Sequence, residues 1–327
     1  MSSSEYIVLK GGDKMPRIGF GTWQASDEVL ENAVDAALVA GYRHFDTARA
    51  YENEAALGRA LRRWTGSSLA KRKELFIVTK LPPGGNRPEL VPEYFNSSLK
   101  DLGLEYLDMY LMHTPFAFEH VPGDLHPKNS DGSMKVDFTT DLIAVWKSMC
   151  KLKESGRVRH VGVSNVNEEQ LTRLCSVQKP ACLQIEVHAL FQQNHMVAAA
   201  NKLGVPIVAY SPLGSKALAD ALAAKTGREY PDLLTLPTVQ SIAQAHGRTP
   251  AQVLLRYTLQ RGLAAIPKST NPRRIKQNIS LWDFALSQTE MAELAALDRG
   301  EHGRICDFSF FVGIEKHPEF PFKKYTK

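Results

Sequence analysis

The sequence predicts an α/β protein, one (β/α)8 TIM barrel spanning residues 1–327, on three observations. Short apolar runs alternate with segments of helical period eight times, and parallel strands require such crossover helices. The length of 327 residues exceeds an ordinary domain but suits a barrel built round a single core. The alternative, an open doubly wound sheet, normally begins with a G-x-G-x-x-G turn, whereas "GFGTWQ" stops at the second glycine.

Residues 5–18 carry two apolar runs around Gly-Gly-Asp, which predicts an N-terminal β-hairpin that plugs or precedes the barrel. "RIGFGT" is the first strand. The helix "SDEVLENAVDAALVAG" follows, with Ser26 or Asp27 as cap and Gly41 as stop. Strand "YRHFD" and helix "NEAALGRALRRW" come next, then "ELFIVTK" with "PELVPEYFNSSLKDLG", and "YLDMYLMH" with "TDLIAVWKSMCKLKESG". The second half repeats the pattern: "VRHVGVSN" with "NEEQLTRLCSV", "CLQIEVH" with "NHMVAAANKLG", and "PIVAYS" with "TVQSIAQAHG" and "TPAQVLLRYTLQRG". The last strand is "LAAIPKS", and residues 299–327 form a C-terminal loop.

Composition excludes several function classes. With 43% apolar and 23% charged residues the chain reads as globular, and a net charge of +5 without a basic, aromatic-interleaved run argues against nucleic acid. No stretch of 18 apolar residues suggests a membrane span, and Met-Ser-Ser-Ser-Glu lacks signal-peptide character, so a cytoplasmic protein is expected. Cys150, Cys175, Cys182 and Cys306 are scattered without metal-ligand spacing and read as reduced thiols. The Asn-x-Ser matches at Asn96 and Asn278 carry little weight without secretion.

A barrel gathers all its strand C-termini at one mouth, where catalytic groups of this architecture reside. Here those ends bear Asp46, Lys80, His113, Ser164 with Asn165, Gln184 with Glu186, Tyr210 with Ser211, and Lys268. Any one alone is ordinary surface polarity; their convergence makes a site. Tyr51, on the loop after Asp46, adds a hydroxyl whose pKa near 10 a neighbouring ammonium would lower. Asp46 would keep Lys80 charged, and His113 would orient a substrate oxygen. That set suits protonation of an oxyanion.

His44-x-Asp46 and Glu186-x-His188 supply two possible metal ligands each but no third, so no metal is expected. A Schiff base on Lys80 or Lys268 remains an alternative. Tyr6-x-x-x-Lys10 matches a dehydrogenase spacing but falls on a strand, where the pair would not form as on a helix. After the last strand, "IPKSTNPRRIKQN" places Asn271 at a helix N-cap, Pro272 at the first position, and Arg273 and Arg274 in the opening turn. Cations at the positive end of a helix dipole cost about 0.3–1 kcal/mol each, a conflict that a phosphate held by backbone amides, Lys268 and Arg274 would relieve.

These residues match a known family. "GYRHFDTARAYENEAALG", "LDMYLMHTP" and "IPKSTNPRRIKQNISL" resemble the three signatures of the aldo-keto reductases, in order and over nearly the whole chain. The resemblance implies an NADPH-dependent carbonyl reductase with a tetrad of Asp46, Tyr51, Lys80 and His113, in which Tyr51 donates the proton. It implies that Ser164, Asn165 and Gln184 hold the nicotinamide carboxamide and that Tyr210 stacks on the ring. Ser211, Leu213 and Ser215 would line the pyrophosphate path, with Gly21 and Thr22 as further cofactor contacts. Lys268, Ser269, Thr270 and Arg274 would bind the 2′-phosphate, with Gln277 and Asn278 near the adenine. Residues 216–232 are an insertion read as a lid over the cofactor.

Many aldose-reductase-like members carry tryptophan after the histidine of the tetrad, where this chain has Thr114, so a wider pocket is expected. Trp23, Phe116 and Phe118 would keep it apolar, Tyr51 and His113 would meet the substrate, and the C-terminal loop with Phe308, Phe310 and Phe311 resembles the substrate-capping loop of the family. The substrates expected are bulky apolar aldehydes or ketones, steroid-like or isoprenoid, reduced by a monomer. The alternative from another class is a catalytically weak NADPH-binding barrel serving as a regulatory or structural subunit.

Overall fold

The computed structural model describes residues 5–322, so the first four and last five residues of the expected domain lie outside the described residues. The hairpin is as expected: β1 (Tyr6–Val8) pairs antiparallel with β2 (Lys14–Pro16). Eight parallel strands then follow in chain order as neighbours: β3 (Phe20–Gly21), β4 (His44–Asp46), β5 (Phe76–Leu81), β6 (Leu107–Met112), β7 (Val158–Ser164), β8 (Leu183–Glu186), β9 (Ile207–Tyr210) and β10 (Ala264–Ala265). The ring closes where Ile18 bridges Ala265, with Gly19 N–H to Ala265 O at 2.9 Å and Ala265 N–H to Arg17 O at 2.8 Å. Gly21 permits the closure, since a Cβ there would stand 2.8 Å from Ile266 O.

The crossover helices include α1 (Asp27–Ala40), α2 (Glu54–Thr65), α4 (Val91–Leu102), α5 (Leu142–Leu152), α6 (Glu168–Val177), α7 (Asn194–Leu203), α9 (Pro237–His246), α10 (Pro250–Gln260) and α11 (Pro272–Ile279). Gly41 ends α1 at φ 103, the left-handed cap that its sequence position suggests. Asn271 caps α11 by accepting from Arg274 N–H at 3.1 Å. Two helices were not foreseen: α3 (Leu69–Glu74), six residues and too short to show a period, and α12 (Gln288–Ala295). The insertion after β9 holds a third, α8 (Lys216–Thr226). Several strands are shorter than the apolar runs suggested, β4 beginning at His44 and β10 ending at Ala265.

Period-two alternation sorts each strand into an outer face packed on helices and an inner face filling the barrel. On β5 the inner series is Phe76, Val78 and Lys80, and β6 continues Met109 and Leu111 to His113. Phe76, Val78, Met109, Leu111, Cys182, Val208, Ala264 and Ile266 form one buried cluster that also includes Leu9 and Met15 of the hairpin. The hairpin thus plugs the N-terminal end, leaving the polar inner residues at the opposite mouth. Residues 299–322 cross that mouth.

Met15 is fully buried in this plug. Met15→Ala should lower the unfolding free energy by about 2–5 kcal/mol in denaturant titration; unchanged stability would show that the hairpin does not fill the barrel.

Candidate functional site

At the mouth, a cavity of about 780 Å³ is bounded by the ends of the strands, by the start of α8 and by the C-terminal segment. Asp46 ends β4, and the chain turns at once through residues 49–51 to bring Tyr51 over the barrel. Asn53 fastens this turn: its Nδ2 donates to Thr22 O at 3.0 Å and Ala25 O at 3.2 Å, and its Oδ1 accepts from Thr47 Oγ1 at 3.1 Å. Arg49 ties it outward to Glu54 and Asp101.

Lys80 rises from β5 beneath the cavity with no exposed surface. Its Nζ donates to Asp46 Oδ1 at 2.5 Å, Thr47 O at 2.8 Å and Tyr51 Oη at 3.3 Å, which uses all three ammonium protons. Burial alone would neutralise the amine, but Asp46 and Tyr51 outweigh it, and the pKa of Lys80 is raised. Gln184 Nε2 donates to the second Asp46 oxygen at 2.7 Å, so the carboxylate is held on both sides.

Tyr51 and His113 keep part of their surface open to the cavity, yet their surroundings are protein, which governs their titration. Burial raises the Tyr51 pKa above its ordinary 10.0, and the opposing pull of Lys80 does not prevail. This corrects the expectation of an unusually acidic phenol: the hydroxyl holds its proton firmly, while Lys80 stands ready to stabilise the phenolate once that proton has gone. His113 packs edge-on to Tyr51 with centroids 5.6 Å apart. Burial and then Lys80 push its pKa well below 6.5, so the ring is neutral. Its Nδ1 is buried without a hydrogen-bond partner among the described residues.

The cavity brings together nearly every expected residue. Gly21, Thr22, Trp23, Asp46, Tyr51, His113 and Thr114 line it, as do Ser164, Asn165, Gln184, Tyr210, Ser211, Leu213 and Ser215. Lys268, Ser269, Thr270, Arg274, Asn278 and Phe308 complete the set. Tyr210 is fixed by its hydroxyl donating to Asn165 Oδ1 at 2.8 Å, and Asn165 Nδ2 donates to His113 O at 2.9 Å. Strain also concentrates here: Gln24, Asn165, Ser211, Ser215 and Phe308, all cavity-lining, have positive φ without being glycine.

Four expected residues do not line the cavity: Lys80, which lies buried beneath it, and Gln277, Phe116 and Phe118. Gln277 is turned off the α11 face that Arg274 and Asn278 share one turn apart. Phe116 and Phe118 lie a layer behind, clustered with Met134, Val136, Phe308 and Ile314, because the chain after β6 doubles back and Phe118 bridges Val136. In their place stand Phe310 and Phe311, with His126 stacked on Phe311 at 5.8 Å, and Cys306. The unstructured length of residues 113–141 was the available signal for His126, since long loops in compact domains usually serve a site. Lys216, Ala217, Leu218 and Asp232 of the insertion also line the cavity.

Of the two pairs weighed as metal ligands, His44 Nδ1 lies 2.9 Å from Pro16 O, and His188 Nε2 lies 3.1 Å from Glu186 Oε1. The phosphate end fits an anion. Lys268, Arg273 and Arg274 have no acidic partner among the described residues. Burial and then Arg274 lower the Lys268 pKa, as expected of a cation with unmet charge demand. Ser269 Oγ accepts from Asn271 N–H at 3.2 Å, adding a hydroxyl to the start of α11. A dinucleotide carrying an extra phosphate would be held by Lys268, Ser269, Thr270 and Arg274.

Comparison with known proteins agrees with this geometry. Residues 17–299 match the Aldo/keto reductase family. Aldo-keto reductase family 1 member A1 of Gallus gallus is 42% identical over 302 residues, and that of Mus musculus 43% over 296, each alignment covering 90% of this chain and 89% of the relative. The aldose reductase of Schistosoma japonicum superposes with a TM-score of 0.88 at 39% identity, covering 98% of this chain and 100% of that one. A Bombyx mori aldo-keto reductase in complex with NADP gives 0.85 at 34%, with the same coverage. The chain therefore belongs to the aldo-keto reductase family and is an NADP-dependent oxidoreductase that uses NADPH.

Proposed function

We propose that this protein reduces aldehydes and ketones to alcohols with Tyr51 as proton donor, favouring bulky apolar carbonyls, and does so as a cytoplasmic monomer. The observation that carries the proposal is the contact of Tyr51 Oη with Lys80 Nζ at 3.3 Å, beneath an open cavity, with Lys80 held by Asp46 at 2.5 Å. NADPH, when bound, supplies a hydride to the carbonyl carbon. The chain's own part is to receive the substrate oxygen between the Tyr51 hydroxyl and the His113 ring. As charge develops on that oxygen, the Tyr51 O–H bond breaks and the alcohol O–H bond forms. The phenolate left behind faces the Lys80 ammonium, which Asp46 and Gln184 keep oriented.

Asn165, itself fixed by His113 O and Tyr210, offers its amide region with Ser164 and Gln184 to the nicotinamide, and the anchored Tyr210 presents a flat ring. The substrate side is walled by Trp23, Phe308, Phe310 and Phe311, with Thr114 small beside His113. Apolar walls with a few polar groups favour hydrophobic ligands over sugars.

Tyr51→Phe should lower kcat for carbonyl reduction by roughly 10²–10⁴-fold, while NADPH binding followed by fluorescence stays unchanged. Unaltered turnover would assign the acid wrongly, and a wild-type protein that binds NADPH but reduces no carbonyl would favour the regulatory alternative. Across a substrate panel, glucose should be the poorest substrate and large apolar aldehydes the best; preference for glucose would refute the substrate class.

Arg274→Ala should weaken NADPH binding by roughly 10–100-fold, the worth of one charge-assisted contact, and leave NADH binding unchanged. Equal loss for both would place Arg274 away from the 2′-phosphate.

A further inference from the structure

Two consecutive backbone amides of the C-terminal segment end on one buried carboxylate. Glu186, the last residue of β8, is 1% exposed. Its Oε1 accepts from Ile305 N–H and its Oε2 from Cys306 N–H, both at 2.9 Å. His188 Nε2 approaches Oε1 at 3.1 Å, and Gln193 Nε2 donates to the Glu186 carbonyl at 2.5 Å, so the residue is fixed from its own side as well. Immediately beyond Cys306 the chain enters the left-handed conformation at Phe308, φ 58, and turns the next aromatic residues over the cavity. The segment is fastened again at its far end, where the His317 ring meets Ala117 N–H at 3.3 Å and Asp137 O at 3.0 Å, and Glu319 pairs with Arg173 at 2.8 Å.

We propose that Glu186 is a positioning residue, the latch that sets the height of the C-terminal aromatic wall above the barrel and so determines how tightly large substrates are held. The inference rests on the cavity being the carbonyl-reduction site. Chemistry explains why a carboxylate is needed. Here each amide takes a different oxygen, an arrangement that needs both oxygens to accept; a carboxamide in the same place would turn an N–H₂ against one of the amides. Placement explains why this residue and not another. Glu186 is two residues from Gln184 on the same face of β8, and Gln184 grips Asp46, so the strand that supports the tetrad also fixes the cap. Cys306 and Phe308 sit within two residues of the latch and line the cavity, whereas the Glu186 side chain does not.

The test compares wild-type protein, E186Q and E186D with NADPH on 2-naphthaldehyde and on propanal. With E186Q, KM for naphthaldehyde should rise by roughly tenfold or more, as expected from loss of one such hydrogen bond, while its kcat and the KM for propanal stay unchanged. E186D, which keeps both acceptor oxygens, should fall between wild type and E186Q. Hydrogen exchange at the Ile305 and Cys306 amides should accelerate in E186Q without change in the barrel strands. Equal loss on both aldehydes, or a KM ratio that does not move, overturns the latch. Should E186Q not yield folded protein, E186D and the exchange of the wild-type amides decide, and rapid exchange there overturns the proposal. Wild-type protein that reduces neither aldehyde would instead refute the proposed function.

Discussion

A lysine ammonium with no access to water is held inside this barrel by one carboxylate, one backbone carbonyl and one phenol oxygen. Burying such an ion costs several kcal/mol. At 2.5 Å and an effective dielectric near 20, its attraction to Asp46 is roughly 7 kcal/mol, which offsets a cost of that order only because every proton of Lys80 and both oxygens of Asp46 are engaged. That requirement fixes much of the mouth. Gln184 must reach across from β8 to complete Asp46, and the turn after β4 must fold back so that Thr47 O and Tyr51 Oη both meet Nζ.

The electrostatic consequence is a division of labour between neighbours. Lys80 stays charged with the support of Asp46 and Tyr51, burial and then Lys80 keep His113 neutral, and Tyr51 alone stays protonated against the pull of a neighbour. On the proposed function, a donor that surrenders its proton only when negative charge forms beside it suits reduction better than one already half ionised. The start of α11 carries an imbalance of its own, basic side chains with no acidic partner among the described residues. Both ends of the cavity therefore favour negative charge.

Legibility in the sequence followed the physics. The alternating inner faces could be read because period two carries Phe76–Val78–Lys80 and Met109–Leu111–His113 from apolar floor to polar mouth. Arg273 and Arg274 were readable because they contradict the helix dipole. What resisted reading lies in segments without a period. The loop at 113–141 sends Phe116 and Phe118 behind the wall and His126 into it, and no local pattern distinguishes those fates. Glu186 was visible as a strand-end polar residue, but its partners are backbone amides of residues 305 and 306, whose positions depend on the closed barrel. The sign of the Tyr51 shift was misread for a related reason: the charge of Lys80 is evident from sequence, whereas the volume of protein packed round the phenol is not.

The most direct test is the ionisation of Tyr51 itself, followed by carbon NMR of protein labelled at tyrosine Cζ and assigned with the Phe variant. The account predicts that this resonance remains that of a neutral phenol at neutral pH and titrates above the ordinary pKa of tyrosine. A phenolate signal at neutral pH would contradict it.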